Sequence, residues 1–377
     1  APLMSISMGG HDIKRAKRVL ANSFLMLTVL SVAITVALYP IREPMLLFFG
    51  ASEATMPFAN EYFSIYLFGT LFALLSAGMN QFIICQGYAK VAMLTVVTGA
   101  ITNILLDPVF IFVLDLGVAG AALATVFSQV VSCCLVIGFL FSKKPAVSIS
   151  FGGYDLRIMG RIFAIGFTPF AIIAVDNVMI IAMNTILQKY GGAEQGDMLV
   201  TCATIAQSFM LVVTMPLGGI SGGTQTILGY NYGAGEHQRV SQIFKIVLCM
   251  SGIIMVFGTV ICLLIPGQLM GLFTHTEATI QAGETALRII GAGFIASAVS
   301  VTSSGALEGL GKGTPSLLIS LCRYVVVIIP AAFLLSRLFD AVGVWHAFCV
   351  TEVIAAVISL IIYRKAIAKP VTAARKE

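Results

Sequence analysis

Ten stretches of this chain are apolar over the length needed to cross a bilayer, and that constrains everything else about its fold. They run roughly over 19–40, 60–84, 91–113, 118–141, 160–187, 199–222, 241–265, 283–307, 315–337 and 343–363. A helix of about 20 apolar residues spans a hydrocarbon core about 30 Å thick. In that medium the backbone finds no water to bond, so each stretch is expected to be a helix. Runs of this length also exclude an outer-membrane barrel, whose strands read as alternating segments of about ten residues. Charged residues make up only 10% of the chain, against about 25% in a soluble domain. The expected fold class is an all-α integral membrane protein.

Charge orders the segments. Of 22 basic residues, 17 fall at every second junction: around Lys14–Arg18, at Lys90, from Lys143 to Arg161, at Arg239 and Lys245, at Lys312, and from Arg364 to Lys376. The opposite junctions hold Arg42, Lys189 and Arg337 among many acids. By the positive-inside rule the basic junctions are cytoplasmic, and ten spans then leave both chain ends inside. The net charge of +5 needs no nucleic-acid partner. The eight cysteines lie in apolar segments without a C-x-x-C pair and read as small hydrophobes. The four histidines are scattered and suggest no metal site.

The chain contains a duplication. Ser7 to Ala16 aligns with Asn231 to Val240 at an offset of 224 residues, and Phe49-x-x-Ser52-Glu53-Ala54-Thr55 aligns with Phe273-x-x-Thr276-Glu277-Ala278-Thr279 at the same offset. Ser52 and Thr276 are expected to cap the helices that follow. Both copies begin on the same side, a parallel repeat of the kind found in transporters. The second copy is preceded by two spans that the first lacks, so about 70 residues, two helices, are expected upstream of Ala1, making the chain a truncated form of a twelve-helix parent. The expected division is a first lobe at 1–142, a cytoplasmic linker at 143–155 and a second lobe of six helices at 156–377.

Against this apolar background, polar residues inside spans are conspicuous. Asp107 lies within the third span, where a carboxylate costs at least about 2.5–3.5 kcal/mol and is by default a functional-site hypothesis. Asn103 is four residues earlier, on the same helix face. Pro108 removes a backbone donor and crowds the carbonyl of Ile104, favouring a local kink. An acid, an amide and a loosened carbonyl could seat a proton or Na⁺; a structural Asp bonded to a neighbouring helix is the alternative reading.

Several stretches, in order, resemble the multidrug and toxic compound extrusion (MATE) family in its bacterial form: Ala1-Pro2-Leu3 to Gly9, Gln86 to Lys90, Asn103 to Pro108, Gly117 to Thr125, Asn184 to Leu187, Tyr190 to Gly192, Met215 to Gly218, and Ile227 to Ala234. The resemblance implies two pseudo-symmetric six-helix bundles and export of organic cations driven by inward Na⁺ or H⁺. It implies a cation site in the first lobe, with Asp107 and Asn103 joined by Thr125 and with Tyr66 and Asn80 as further candidates. A second acid of that site would lie upstream of Ala1.

Asp176 and Asn177, in the fifth span, read as a cavity-facing polar pair and as substrate candidates, as does Glu352 in the last span. Glu308 and Arg323 are expected to form an ion pair near the cytoplasmic ends of their spans. The repeat partner of Asp107 falls near Ala331, so an ion site of this type belongs to one lobe only. The stretch Gly305 to Gly313 fails as a phosphate loop, because Gly313 stands where Ser or Thr is needed. The combined reading is a secondary antiporter of a bacterial inner membrane, not an enzyme, acting as a monomer on small organic cations among lipid. It calls for no cofactor and no metal beyond a coupling Na⁺. A lipid-linked oligosaccharide flippase of the same superfamily would carry a more basic cavity than Arg288 and Arg323 supply. A prenyl-transferring membrane enzyme would need paired Asp-rich motifs, which are absent.

Overall fold

A computed structural model describes residues 1–49 and 51–368, apart from the side chains of Ala193, Glu194, Asp197 and Ala368. Gly50 of the repeat motif and Lys369, Arg375 and Lys376 of the basic C-terminal stretch lie outside the described residues. The described chain is helical throughout: α1 (Pro2–Gly9), α2 (Ile13–Leu38), α3 (Arg42–Phe48), α4 (Met56–Cys85), α5 (Ala89–Pro108), α6 (Gly117–Phe141), α7 (Leu156–Gly192), α8 (Met198–Gly233), α9 (His237–Leu264), α10 (Pro266–Gly271), α11 (Glu277–Gly309), α12 (Gly313–Phe339) and α13 (Val342–Ala368). Ten of these are long and apolar enough to cross a membrane, and each coincides with one of the ten apolar stretches over most of its length. They overrun the apolar runs by a few residues because helix outlasts hydropathy at the polar ends.

Local chemistry sets the breaks. Asp12 caps α2 by accepting from the Arg15 amide at 2.9 Å. Gly192, with φ 65°, separates α7 from α8. The capping expectation is met in part: Thr276 is the N-cap of α11 but its side chain makes no capping bond. Ser52 sits three residues before the N-cap Thr55, and the Thr55 amide donates to its hydroxyl at 3.3 Å.

The duplication is visible in the helix boundaries. Ile13, Arg42 and Ala89 begin helices whose counterparts begin 224 residues later, at His237, Pro266 and Gly313. Gly87 and Gly311, the same offset apart, both take positive φ in the turn between antiparallel helices.

The chain divides into two compact units that meet between Ile162 and Phe163. The expected linker at 143–155 is instead part of the first unit. Val147 and Ile149 are buried in its core. Gln86 holds Val147 through both of its backbone groups, at 2.8 and 3.0 Å, and Asn22 binds the Gly153 carbonyl and the Asp155 amide. The core of this unit gathers Met4, Leu20, Met79, Ile83 and Leu140. That of the second gathers Met183, Leu187, Leu217, Met255, Leu287 and Trp345.

Junctions expected on one side come together within each unit. In the first, the Tyr88 hydroxyl donates to the Lys144 carbonyl at 2.9 Å. In the second, Lys312 Nζ donates to the Ala366 carbonyl at 2.5 Å. At the far end Lys189 and Arg337 both face the Phe333 ring.

Candidate ion and substrate sites

In the first unit the helix carrying Asn103 and Asp107 runs as α-helix through Pro108 and then widens to a π-helical turn over Val109–Val113. The i→i+5 register there follows directly on the proline, as expected where a donor has been removed. Asn103 Nδ2 donates to Asp107 Oδ1 at 3.2 Å, and both side chains are half-buried. The amide oxygen of Asn103 and the second carboxylate oxygen of Asp107 are left for another ligand.

Thr125 comes from α6, which lies antiparallel to α5. Gly120 abuts the backbone of Phe110, and Ser132 Oγ donates to the Thr95 carbonyl at 3.1 Å. These two contacts bracket Thr125 and set it level with the stretch between Thr102 and Leu106, the depth of the acid and amide. Its hydroxyl donates to the Ala121 carbonyl at 2.9 Å, which leaves its lone pairs available to a cation.

The two candidates on α4 separate. Asn80 donates to the Ala92 carbonyl at 3.3 Å and accepts from Thr95 Oγ1 at 3.3 Å. It cross-links two helices at a depth about 18 Å from Asp107, twelve residues along the helix from Thr95, so it does not belong to the site. Tyr66, fourteen residues before Asn80 on a helix antiparallel to α5, returns to the depth of Asp107 and stacks on Tyr62 at 6.0 Å.

In the second unit a pocket of about 510 Å³ is lined by Asp176, Gln207, Phe294, Arg323, Tyr324 and Glu352, among others. Arg323 lies in a π-helical turn, Cys322–Val327, ten residues into its span rather than at its end. Its Nε and Nη2 both donate to Glu352 Oε1, at 2.9 and 2.5 Å, and its Nη1 lies 3.4 Å from the Tyr324 hydroxyl. The expected pairing with Glu308 is therefore not the one formed. Glu308 accepts from Gln225 at 3.1 Å and from Ser316 at 2.9 Å, and so fastens α8, α11 and α12 with neutral donors. The Asp176–Asn177 pair is divided as well. Adjacent residues on a helix point about 100° apart, so only Asp176 faces the pocket, while Asn177 is exposed and donates to its own helix at the Ile173 carbonyl.

The repeat exposes what differs between the copies. At the offset of 224, Arg323 corresponds to Gly99 and Glu352 to Ser128. Gly99 packs against Ser132 and the Ser128 carbonyl, with no room for a side chain. One copy closes this helix pair by small residues and the other by an ion pair.

A duplicated, polytopic, all-helical membrane protein with ionisable groups midway through its spans is the class that this fold and these sites define. The chain belongs to the MatE family, whose sequence profile matches residues 1–109 and 173–334. Its relatives include the multidrug export protein MepA of Staphylococcus aureus, 24% identical over 359 residues, 94% of this chain and 78% of that protein. The MepA of Staphylococcus saprophyticus is 25% identical over the same extent. Two solved structures share the fold. The crystal structure of MATE in the bent conformation has a TM-score of 0.91 at 24% identity, covering 97% of this chain and 82% of that one. An outward-facing multidrug resistance MATE family transporter of the MOP superfamily has a TM-score of 0.89 at 24% identity, covering 100% and 83%.

Proposed function

We propose that this protein is a multidrug efflux transporter of the cell membrane, a secondary antiporter that exports organic cations in exchange for Na⁺ or H⁺. The observation that carries the reading is the Asn103–Asp107 pair midway through a hydrophobic span, with Thr125 at its depth and a π-helical turn beside it. Membership of the MatE family and the names of the MepA relatives support the export of drugs. The basic junctions face the cytoplasm in this reading.

Asp107 is the group that exchanges its occupant. Ionised, it holds Na⁺ together with the Asn103 amide oxygen and the Thr125 hydroxyl; protonated, it donates to one of them. Either event neutralises a charge beside the π-helical turn. An ion that favours one arrangement of that turn over another shifts the population of transporter states by its differential affinity, and the drug's affinity changes reciprocally. Replacing Asp107→Asn removes the charge and keeps the shape. Ion-dependent ethidium efflux from cells expressing the variant is expected to fall to background at unchanged protein level. Efflux that persists with its ion dependence intact would refute the assignment.

A further inference from the structure

The second-unit pocket holds three charged groups: the carboxylates of Asp176 and Glu352 and the guanidinium of Arg323, together one net negative charge. The pairing among them is uneven. Arg323 places two nitrogens on a single oxygen of Glu352, and the other oxygen, Oε2, is buried without a hydrogen-bond partner. A side-on guanidinium–carboxylate pair would use both oxygens. Asp176 has no ion pair among the described residues, although it lines the same pocket as Arg323.

The first copy of the repeat does without this ion pair. The corresponding helices of the first unit close with Gly99 and Ser128 at the same positions. Buried ion pairs are in any case weak contributors to stability against well-packed apolar residues. A charge pair present in one copy of the repeat and absent from the other, facing a pocket large enough for a drug-sized molecule, points to a role in the ligand's own electrostatics.

We propose that Arg323 is the resident counter-cation of this pocket: an organic cation binds at Asp176 by displacing the influence of Arg323, which Glu352 retains. Arg323 thereby sets the pocket's affinity for monocations. It is a positioning and specificity residue, not a ligand of the cation. The inference rests on the export reading above and adds to it where the cation sits and what it competes with.

The chain's single tryptophan provides the readout. Trp345 is buried and lines a small adjoining pocket that shares Gln207, Met210, Ile290 and Phe348 with the larger one. Ethidium bound at Asp176 is expected to quench it. The protein in lipid nanodiscs is titrated with ethidium alongside the double variant Arg323→Gln/Glu352→Gln, in which the pocket keeps its net charge of minus one but loses the competitor. Affinity is expected to rise severalfold, because the repulsion of the cation by Arg323 outweighs the attraction of the paired Glu352, and adding Asp176→Asn is expected to abolish the gain. Equal affinity in the native protein and the double variant overturns the inference and reduces Arg323 to a structural partner of Glu352. Should the double variant not fold, Arg323→Leu/Glu352→Leu carries the same test. Absence of ethidium binding in the native protein and every variant overturns the export reading for this ligand class, and the inference with it.

Discussion

Replacing Gly120→Ala tests the contact on which the geometry around Asp107 depends. A Cβ at Gly120 would stand 2.6 Å from the Phe110 carbonyl oxygen, 2.7 Å from its carbon and 3.1 Å from the Ile111 nitrogen. Ordinary contact begins at 3.4 Å, so the helices must separate by 3.4 − 2.6 = 0.8 Å along the closest approach. The obstacle is backbone, so no side-chain rotation relieves it. Overpacking of this kind costs about 1–3 kcal/mol. Phe110 lies one turn beyond Asp107, and the Asn103–Asp107 bond is already 3.2 Å long, so the displacement is expected to break it and to reduce ion-dependent efflux. Gly138→Ala, in the same helix with nothing within 4 Å of the new methyl, is the control. It gains about 0.4–1 kcal/mol by restricting the unfolded chain. Thermal unfolding in nanodiscs and ethidium efflux are measured on both. A melting temperature several degrees lower for Gly120→Ala, with weakened efflux, is the expected result. Indistinguishable behaviour of the two variants would refute the close packing of α6 on the π-helical turn.

Asn80→Ala removes a link between α4 and α5 and is expected to cost about 0.5–1.5 kcal/mol, because the Thr95 hydroxyl and the Ala92 carbonyl keep their own bond at 2.8 Å. Its ion dependence of efflux should stay native, and a shift in that dependence would return Asn80 to the ion site. Glu308→Ala strands the Gln225 amide and leaves Ser316 only its bond to Ser304, so a loss of about 1–3 kcal/mol is expected in thermal unfolding, with ethidium affinity unchanged. Thr125→Ala is expected to weaken the Na⁺ or H⁺ concentration dependence of efflux about tenfold while leaving the melting temperature within a degree or two; an unaltered dependence removes it from the site. Asn177→Ala is expected to be silent in both assays, because its side chain serves only its own helix.

The ten spans were legible because a bilayer admits few alternatives for a run of twenty apolar residues. The duplication was legible because Phe-x-x-[Ser/Thr]-Glu-Ala-Thr recurs at the spacing that the helix starts also obey. Which polar groups meet was less accessible. Asn103 and Asp107 share one helix, where spacing alone predicts contact, and they do bond. Arg323, Glu308 and Glu352 come from three helices, and their pairing depends on how those helices are rotated and on the extra residue that a π-helical turn inserts, neither of which periodicity records. The signal that could have found the pair is depth: Arg323 and Glu352 both lie midway along adjacent antiparallel spans, whereas Glu308 lies at the end of its own. Asn177 adjoins Asp176 in sequence, but on a helix adjacency separates side chains rather than joining them. The strap at 143–155 reads as a linker because it is polar and lies between two spans; Gln86 and Asn22, which bind it into the first unit, carry no mark of that role.

The correspondence of Gly99 and Ser128 with Arg323 and Glu352 bears on how such a molecule can change over time. One frame of helix boundaries accepts either a bare backbone contact or a pair of opposite charges at the same crossing. Innovation at that crossing therefore need not endanger the architecture. A gene that has doubled can hold one copy of that crossing to its close contact while the other takes up charge.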